Sequence, residues 1–409
     1  MGTHTASTRN TAGPRALGRL MVATVGLVAA GACHDRTAPT DPEQPSRAAH
    51  ATVSAAALPP WFSAYVAALP AESKLVWASC NLAGTMQQAG APFVVGTNCR
   101  IMMVDGYPRR YVVYVPNHPN VVAGNDVPLV SMFHGSGQNG EHFYNESGWR
   151  AEADANGFIV VFGTGVQYRM RTGGTSMKWH AYNLLADIDS TWRPPGYSAG
   201  APWPARDVTF TDRVLSDLIA QSNIDTLRMH ATGFSNGGGF VSKLAVELGT
   251  RIASVASISN PYPRTYAPVA RIPYFAATGA LDANVIADIN ANLLVGQPPV
   301  TSVPLIPDTL FTYVVQSQKR DSMAATLGLE PLTYSSTQTG TWTLMRWTTP
   351  VAGNLAGNVA WWGIIQGVEH EYPRGVGRFL PNGVPLAPNN PLNFDGPQAF
   401  YSFFRTHHK

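Results

Sequence analysis

Charged side chains are scarce in this 409-residue chain, in which Asp, Glu, Lys and Arg make up 13% of the residues. That share is about half of what soluble domains usually carry. Together with 45% hydrophobic residues, it excludes an intrinsically disordered chain and a heptad-rich coiled coil. The 38 Gly and 32 Pro show no collagen-like period, and no long apolar span or internal repeat follows the N-terminal region. We therefore expect a globular, loop-rich protein of one large domain or two ordinary ones.

A surplus of basic residues is also missing once the N-terminus is set aside. Arg9, Arg15 and Arg19 precede Asp35, the first acidic residue, so without residues 1–32 the 28 basic residues fall to 25 and equal the 25 acidic ones. A neutral chain lacks the basic surface of a nucleic-acid binder. We expect no nucleic-acid partner, and a substrate that is neutral or weakly charged.

The N-terminus has the pattern of an export signal. A basic stretch ends at Arg19 and thirteen uncharged residues follow, which predicts a signal peptide over residues 1–32. Small residues precede Cys33, so this cysteine resembles the lipidation site of a bacterial lipoprotein and predicts membrane attachment, with plain secretion as the alternative. Residues 34–58 resemble a flexible tether. We divide the rest into a tether and N-terminal segment (33–75) and a catalytic domain (76–409).

Cysteine is rare, with three in the chain. With Cys33 in the lipidation site or tether, Cys80 and Cys99 remain, and in an exported protein they are expected to form a disulfide. The alternative is two buried free thiols.

Short apolar runs alternate with helical patterns, which predicts a mostly parallel, doubly wound α/β sheet preceded by an antiparallel hairpin. The hairpin strands are predicted at 100–104 and 110–115, and later strands at 127–133, 158–162, 227–232, 253–258, 272–277, 341–347 and 359–366. Helices are predicted at 143–156, 208–222, 237–248 and 310–327, with a last one from Asp395 to about Phe404. Residues 163–206 are predicted to form a long functional loop or lid, and residues 283–307 a second irregular insertion.

A G-x-S-x-G pattern spans residues 233–237, between a predicted strand and a predicted helix. This context is typical of a nucleophile elbow, a sharp turn that exposes the serine above the sheet. Ser235 is therefore the candidate nucleophile. The alternative is an ordinary glycine-rich turn.

A serine nucleophile needs a histidine base and a carboxylate, which follow it in this order in elbow-containing folds. After Ser235 the histidines are His370 and the two near the chain end, so His370 is the candidate base. Asp282 follows the predicted strand 272–277 and is the candidate acid, with Asp288 as the substitute.

Backbone amides of Asn236 and Ser136 are the candidate donors to the oxyanion, because one donor follows the nucleophile and the other comes from an earlier strand-end loop. Substrate contacts are expected from Phe234, Trp179 and His134. For Trp179 a place in the local core is an equal alternative, and for His134 a structural role in its loop.

The motifs together resemble a known family. The segments 134–138, 233–237, 279–282 and 367–373 look like the secreted polyhydroxybutyrate depolymerase and feruloyl esterase family of α/β-hydrolases. The resemblance covers roughly residues 98–405 and implies an α/β-hydrolase fold and a serine carboxylesterase with no metal or organic cofactor. It implies Ser235 as nucleophile, Asp282 as acid and His370 as base. Ser136 and Lys178 stand where members often carry a disulfide between these two loops.

The leading hypothesis is an exported carboxylic ester hydrolase that cleaves hydroxy-acid oligoesters or polyesters through an acyl-enzyme. A feruloyl or acetylxylan esterase is the alternative within this class. A serine peptidase and a non-catalytic, lipid-anchored binding protein are the alternatives outside it.

Overall fold

A computed structural model describes residues 61–80, 87–88, 90, 92–260, 267–353, 358–380 and 382–409. The predicted signal peptide, Cys33 and the 34–58 tether lie outside the described residues. Within the described part of the chain, no helix is both long and apolar enough to cross a membrane.

The helices are α1 (Trp61–Ala67), α2 (Ala71–Ala78), α3 (Pro119–Val122), α4 (Gly140–Glu146), α5 (Trp149–Asn156), α6 (Leu184–Asp187), α7 (Asp207–Gln221), α8 (Asn236–Glu247), α9 (Ala283–Ala291), α10 (Pro307–Leu310), α11 (Val314–Leu327) and α12 (Gly396–Phe404). The strands are β1 (Gln87–Gln88), β2 (Gly96–Val104), β3 (Tyr107–Val115), β4 (Val127–Phe133), β5 (Ile159–Gly163), β6 (Val166–Arg169), β7 (Thr175–Lys178), β8 (Ile224–Phe234), β9 (Ser254–Ile258), β10 (Tyr274–Gly279), β11 (Ser335–Gln338), β12 (Trp342–Trp347), β13 (Ala360–Ile365), β14 (Arg378–Phe379) and β15 (Pro385–Leu386).

Among the described residues, one sheet of eleven strands organises these elements, in the order β1-β2-β3-β5-β4-β8-β9-β10-β13-β12-β11. The block from β5 to β13 is parallel, whereas β2 with β3 and β12 with β11 pair antiparallel at either side. The predicted mostly parallel sheet with an N-terminal hairpin is confirmed, and the chain has the α/β-hydrolase fold.

Both faces of the sheet are buried under helices, and alternate side chains of the central strands point to opposite faces. In β10, Tyr274 belongs to one hydrophobic cluster and Phe275 to the other. The first cluster includes side chains of α7, α8, α9 and α11, and the second includes side chains of α2, α4, α5 and α12. This two-sided core produces the doubly wound arrangement.

The hairpin strands are longer than predicted. Val104 pairs directly with Tyr107, so the turn is the two residues Asp105 and Gly106, which have φ angles of 53° and 75°. Two consecutive positive φ angles match the twist of a tight hairpin.

A disulfide ties this hairpin to the N-terminal helices. Cys80, after α2, is bonded to Cys99 in β2 with a Cα–Cα distance of 5.9 Å, which confirms the predicted pair.

One predicted helix was wrong, and two predicted loops contain regular elements. The single helix 143–156 is two helices, because the chain turns at Gly148, whose φ is 84°. The loop 163–206 contains the β6–β7 hairpin and α6, and the insertion 283–307 begins with the regular helix α9. The Asp395 cap of the last helix is confirmed, since its side chain accepts the amide of Gln398.

Candidate active site

Ser235 lies at the turn between β8 and α8, with φ 53° and ψ −115°. A non-glycine residue with such angles is strained, as expected for a nucleophile elbow. The flanking glycines make the turn possible: a Cβ at Gly237 would lie 2.3 Å from the Phe133 carbonyl oxygen, and one at Gly233 would lie 2.3 Å from the Gly237 carbonyl oxygen. The Ser235 amide donates to the Ile258 carbonyl at 2.8 Å, which ties the elbow to β9.

His370 follows β13 and bridges the other two predicted residues. Its Nε2 lies 3.0 Å from Ser235 Oγ, and its Nδ1 lies 2.9 and 3.0 Å from the two carboxylate oxygens of Asp282. In the arrangement that these distances fit, Nδ1–H donates to the carboxylate and Nε2 accepts from the serine hydroxyl. The structure thus brings Ser235, His370 and Asp282 into one continuous hydrogen-bonded chain.

Asp282 lies between β10 and α9 and is fully buried. Its Oδ1 caps α9 by accepting the amides of Asn284 and Val285. Burial alone would raise the pKa of this carboxyl, but the hydrogen bond from His370 and the charge of its protonated imidazole hold the pKa below its usual value. Asp282 is therefore ionised at neutral pH, the state that can orient and stabilise an imidazolium.

The loops that carry His370 and Asp282 approach each other very closely. A Cβ at Gly279 would lie 2.1 Å from the Val368 carbonyl oxygen, and the Leu281 amide donates to that same carbonyl at 2.9 Å. Asp288, the substitute acid, lies on α9 and forms an ion pair with Lys319 instead. Of the two aspartates, the structure brings Asp282 to His370.

The two predicted oxyanion donors lie in the expected places along the chain. Asn236 is the first residue of α8, so its amide has no carbonyl partner within that helix. In the loop after β4, the Gly137 and Gln138 amides already donate to the Met177 and Gly135 carbonyls, at 2.9 and 3.3 Å. Ser136 is an exposed residue of this loop, and its amide stays the predicted second donor.

A cavity of about 240 Å³ adjoins His370. Its floor is aromatic: Phe143 stacks on Phe234 with ring centroids 6.2 Å apart, and Tyr372 meets Phe143 edge-on at 5.8 Å. Its other lining residues are polar, namely Gln138, His142, Glu146, Ser147, Glu371 and Arg374. A larger groove of about 1110 Å³ lies where β9 and β10 begin, at the opposite edge of the sheet from the serine, and the predicted site residues are not among those that line it.

The structure places two of the three residues that were predicted to contact substrate inside the core, which agrees with the alternatives given for them. Trp179 is fully buried between Phe133 and Phe240, with ring centroids 5.0 and 5.1 Å away. His134 is also fully buried; its Nε2 accepts the Gly165 amide, and burial lowers its pKa to about 3. Both side chains therefore belong to the core behind the site. Phe234 does line the cavity.

Sequence reasoning missed most of the cavity wall. Phe143 and Glu146 lie on α4, and nothing in their spacing distinguishes them from ordinary helix residues. Gln138 and Tyr372 carried a usable signal, because each lies within four residues of a predicted site residue, His134 and His370 respectively.

Helix α4 is anchored by buried hydrogen bonds to a charged residue, Glu141, which sequence patterns did not reveal. Glu141 accepts a hydrogen bond from the Arg110 guanidinium at 2.7 Å and another from the Trp77 indole N–H at 2.8 Å.

Across the described residues, no group of three or more His, Cys, Asp or Glu side chains could hold a metal ion.

Comparisons with known proteins point to esterases. The "Putative esterase NocK" of Nocardia uniformis subsp. tsuyamanensis is 29% identical over 190 residues, which are 46% of this chain and 48% of that protein. The bifunctional acetylxylan esterase/xylanase XynS20E of Neocallimastix patriciarum is 28% identical over 156 residues, 38% of this chain and 18% of that protein. The chain thus spans about half of one relative and less than a fifth of the other. No family model matches the sequence.

Solved structures that align in part with this chain include a poly(3-hydroxybutyrate) depolymerase, LpqC, from Bordetella parapertussis. It is 17% identical, covers 68% of this chain and 86% of its own, and has a TM-score of 0.37. An acetyl xylan esterase from Aspergillus awamori is 13% identical over 64% of this chain and 89% of its own, with a TM-score of 0.36. Because these scores are below 0.5, the fold assignment depends on the strand order and the elbow described above. The chain thus has the α/β-hydrolase fold, and the sequence relatives that it matches in part are described as esterases.

Proposed function

We propose that this protein is a serine carboxylic ester hydrolase that works through an acyl-enzyme. The observation that carries the proposal is the hydrogen-bonded chain from Ser235 Oγ through His370 to Asp282. The curated relatives, both described as esterases, support the same class of reaction.

The reaction follows from the positions of these atoms. Ser235 Oγ attacks the ester carbonyl carbon while His370 Nε2 takes its proton, and the carbonyl electrons move to the oxygen. The amides of Asn236 and Ser136 would bind this oxyanion. His370 then gives the proton to the leaving alcohol, and the acyl group remains on Ser235. Water, deprotonated by His370, attacks the acyl carbon, and His370 returns the proton to Ser235 Oγ as the bond from Oγ to the acyl carbon breaks and the acid leaves.

For the substrate we propose short hydroxy-acid oligoesters or polyesters. A cavity of about 240 Å³ admits a short acyl or alcohol group. Its aromatic floor of Phe143, Phe234 and Tyr372 suits an apolar chain, and its polar rim suits ester or hydroxyl oxygens. An acetyl ester of a plant cell-wall polysaccharide is the second candidate, favoured by the match to a protein described as an acetylxylan esterase/xylanase.

A panel of esters tests both parts of the proposal. It comprises p-nitrophenyl esters of increasing acyl length, a hydroxybutyrate trimer, methyl ferulate and acetylated xylan, each also run with Ser235→Ala and with EDTA. We expect fastest turnover of short acyl esters and the trimer, loss of about 10⁶-fold in kcat with Ser235→Ala, and no effect of EDTA. Turnover that survives Ser235→Ala contradicts the mechanism, whereas acetylated xylan as the best substrate selects the second candidate.

A further inference from the structure

The two predicted oxyanion donors come from different loops, and one segment of the chain contacts both loops. The Gly137 amide, next to Ser136, donates to the Met177 carbonyl at 2.9 Å. The side chain of Asn236 makes two hydrogen bonds with the backbone of Trp179: Oδ1 accepts the Trp179 amide at 2.7 Å, and Nδ2 donates to the Trp179 carbonyl at 3.2 Å. Residues 177–179 therefore connect the two halves of the expected oxyanion hole.

This segment is rigidly held. The Trp179 ring is fully buried and packs on Phe133, the last residue of β4, and on Phe240 of α8. The next amide, that of His180, donates to Asp207 at 2.6 Å, and Asp207 forms a buried ion pair with Arg109, also at 2.6 Å. The hydrogen bonds of Asn236 thus end on a fixed part of the core.

The position of the Asn236 amide is sensitive to such an anchor. Its direction depends on ψ of Ser235 and φ of Asn236, and Ser235 has strained angles that a free chain would leave. Two hydrogen bonds from the Asn236 side chain to a fixed backbone oppose that relaxation. An oxyanion donor acts only when it points at the site where the negative charge develops.

We propose that the Asn236 side chain is a positioning residue, which acts with residues 177–179 to aim the oxyanion amides, while its own backbone amide contacts the oxyanion. This inference depends on the proposed serine mechanism. It predicts that loss of the Asn236 side-chain bonds weakens transition-state binding and leaves substrate binding unchanged.

The test compares Asn236→Ala with a matched control, Asn98→Ala. Asn98 is fully buried in β2 and binds a backbone in the same way: Oδ1 accepts the Val94 amide at 3.0 Å and Nδ2 donates to the Val94 carbonyl at 2.7 Å. Strand β2 is separated from β8 by three other strands in the sheet. Both variants lose side-chain hydrogen bonds to the backbone, and Asn98→Ala loses one more, because Nδ2 of Asn98 also donates to the Gly96 carbonyl at 3.1 Å. Only Asn236→Ala loses them at the elbow.

Two kinetic measurements separate positioning from stability. Pre-steady-state bursts with p-nitrophenyl acetate give the acylation rate constant and the dissociation constant of the bound ester. The inhibition constant of 1,1,1-trifluoro-2-pentanone reports oxyanion binding, because Ser235 Oγ bonds to its carbonyl carbon, the carbonyl electrons become an oxyanion, and the proton moves to His370.

With Asn236→Ala we expect acylation to slow by about 10- to 100-fold, the trifluoroketone inhibition constant to rise by a similar factor, and ester dissociation to change less than about threefold. Asn98→Ala should lower the thermal midpoint without these changes. Asn236→Ser, which is uncharged and too short to keep both bonds to Trp179, should give a similar loss and serves if Asn236→Ala does not fold.

Unchanged acylation in both Asn236 variants, or a loss confined to ester binding, would overturn the inference, as would the same kinetic losses in Asn98→Ala. The trifluoroketone adduct needs Ser235 and His370 but no particular ester. Its inhibition constant therefore tests the inference even if the proposed substrates are not turned over.

Discussion

At the scale of single residues, contacts in the folded protein distinguish two aspartates that are equally possible acids in the sequence. Asp282 is buried and hydrogen-bonded to His370, whereas Asp288, six positions later, pairs with Lys319 at the surface. The same contrast applies to the histidines, because His134 is locked between backbone groups while His370 faces the serine.

Asp282→Asn should lower kcat by about 10⁴-fold, because an amide cannot stabilise the imidazolium and favours the wrong tautomer. Asp288→Asn is its control and should retain wild-type kcat, since its carboxylate contacts Lys319 on the surface of α11. Steady-state kinetics of both variants on one p-nitrophenyl ester check the expectation. Equal losses in the two variants would contradict the assignment of the acid.

Glu152 should make the stability of the protein depend on pH. Burial and the nearby charge of Asp395 raise its pKa to about 7, although the Asn156 side chain donates to it at 2.9 Å. An unfolded chain releases this proton near pH 4.3. Between about pH 4.3 and 7 the folded state therefore binds more protons, so its stability falls as pH rises.

Glu152→Gln should thus be more stable than the wild type at pH 8, with the difference shrinking towards pH 4. Urea unfolding midpoints measured across this range check the expectation. A difference between the two proteins that is the same at every pH would show that the Glu152 charge is not its cause.

At the scale of elements, the elbow depends on how closely β8, α8 and the end of β4 pack. Gly237 has space for a hydrogen and not for a methyl group, because the Phe133 carbonyl oxygen would lie 2.3 Å from its Cβ. The backbone of β4 cannot move away easily, since β4 is paired on both sides in the middle of the sheet.

Gly237→Ala should therefore lower the free energy of unfolding by about 1–3 kcal/mol through overpacking and should also impair turnover by shifting Ser235. Gly200→Ala is the matched control, because a Cβ there meets nothing within 4 Å. Chemical denaturation and ester turnover of both variants test this, and a fully active Gly237→Ala would show that the elbow tolerates a wider turn.

At the scale of the whole molecule, the N-terminal helices are joined to the sheet and to the active-site wall. The disulfide links the end of α2 to β2, and Trp77 of α2 donates to Glu141 of α4, the helix that lines the cavity. Glu72 of α2 also contacts His142 at 3.2 Å.

Replacing both Cys80 and Cys99 by serine should lower the free energy of unfolding by roughly 3 kcal/mol, the chain-entropy value for a loop of this length. The bond spans 19 positions. Urea unfolding with and without dithiothreitol measures the effect, and the reductant should destabilise only the wild type. Peptide mapping that finds both thiols free in the oxidised protein would refute the bond.

The sequence by itself determined the sheet and the position of the candidate nucleophile. Hydrophobic runs of β4, β8 and β10 and the glycines around Ser235 are local signals, since strand burial and turn geometry depend on residues close together in the chain. Chain order then selected His370 and Asp282 from few alternatives.

Only the tertiary structure decided what surrounds these residues. The cavity wall combines α4, the elbow and the loop after β13, and the Asn236 bonds to Trp179 join positions 57 residues apart. The sequence left Trp179 and His134 open as pocket residues because aromatic side chains suit a core and a binding wall equally. Whether they lie in the core or in the binding wall depends on packing against strands and helices that are distant in the sequence. No local sequence pattern contains that information.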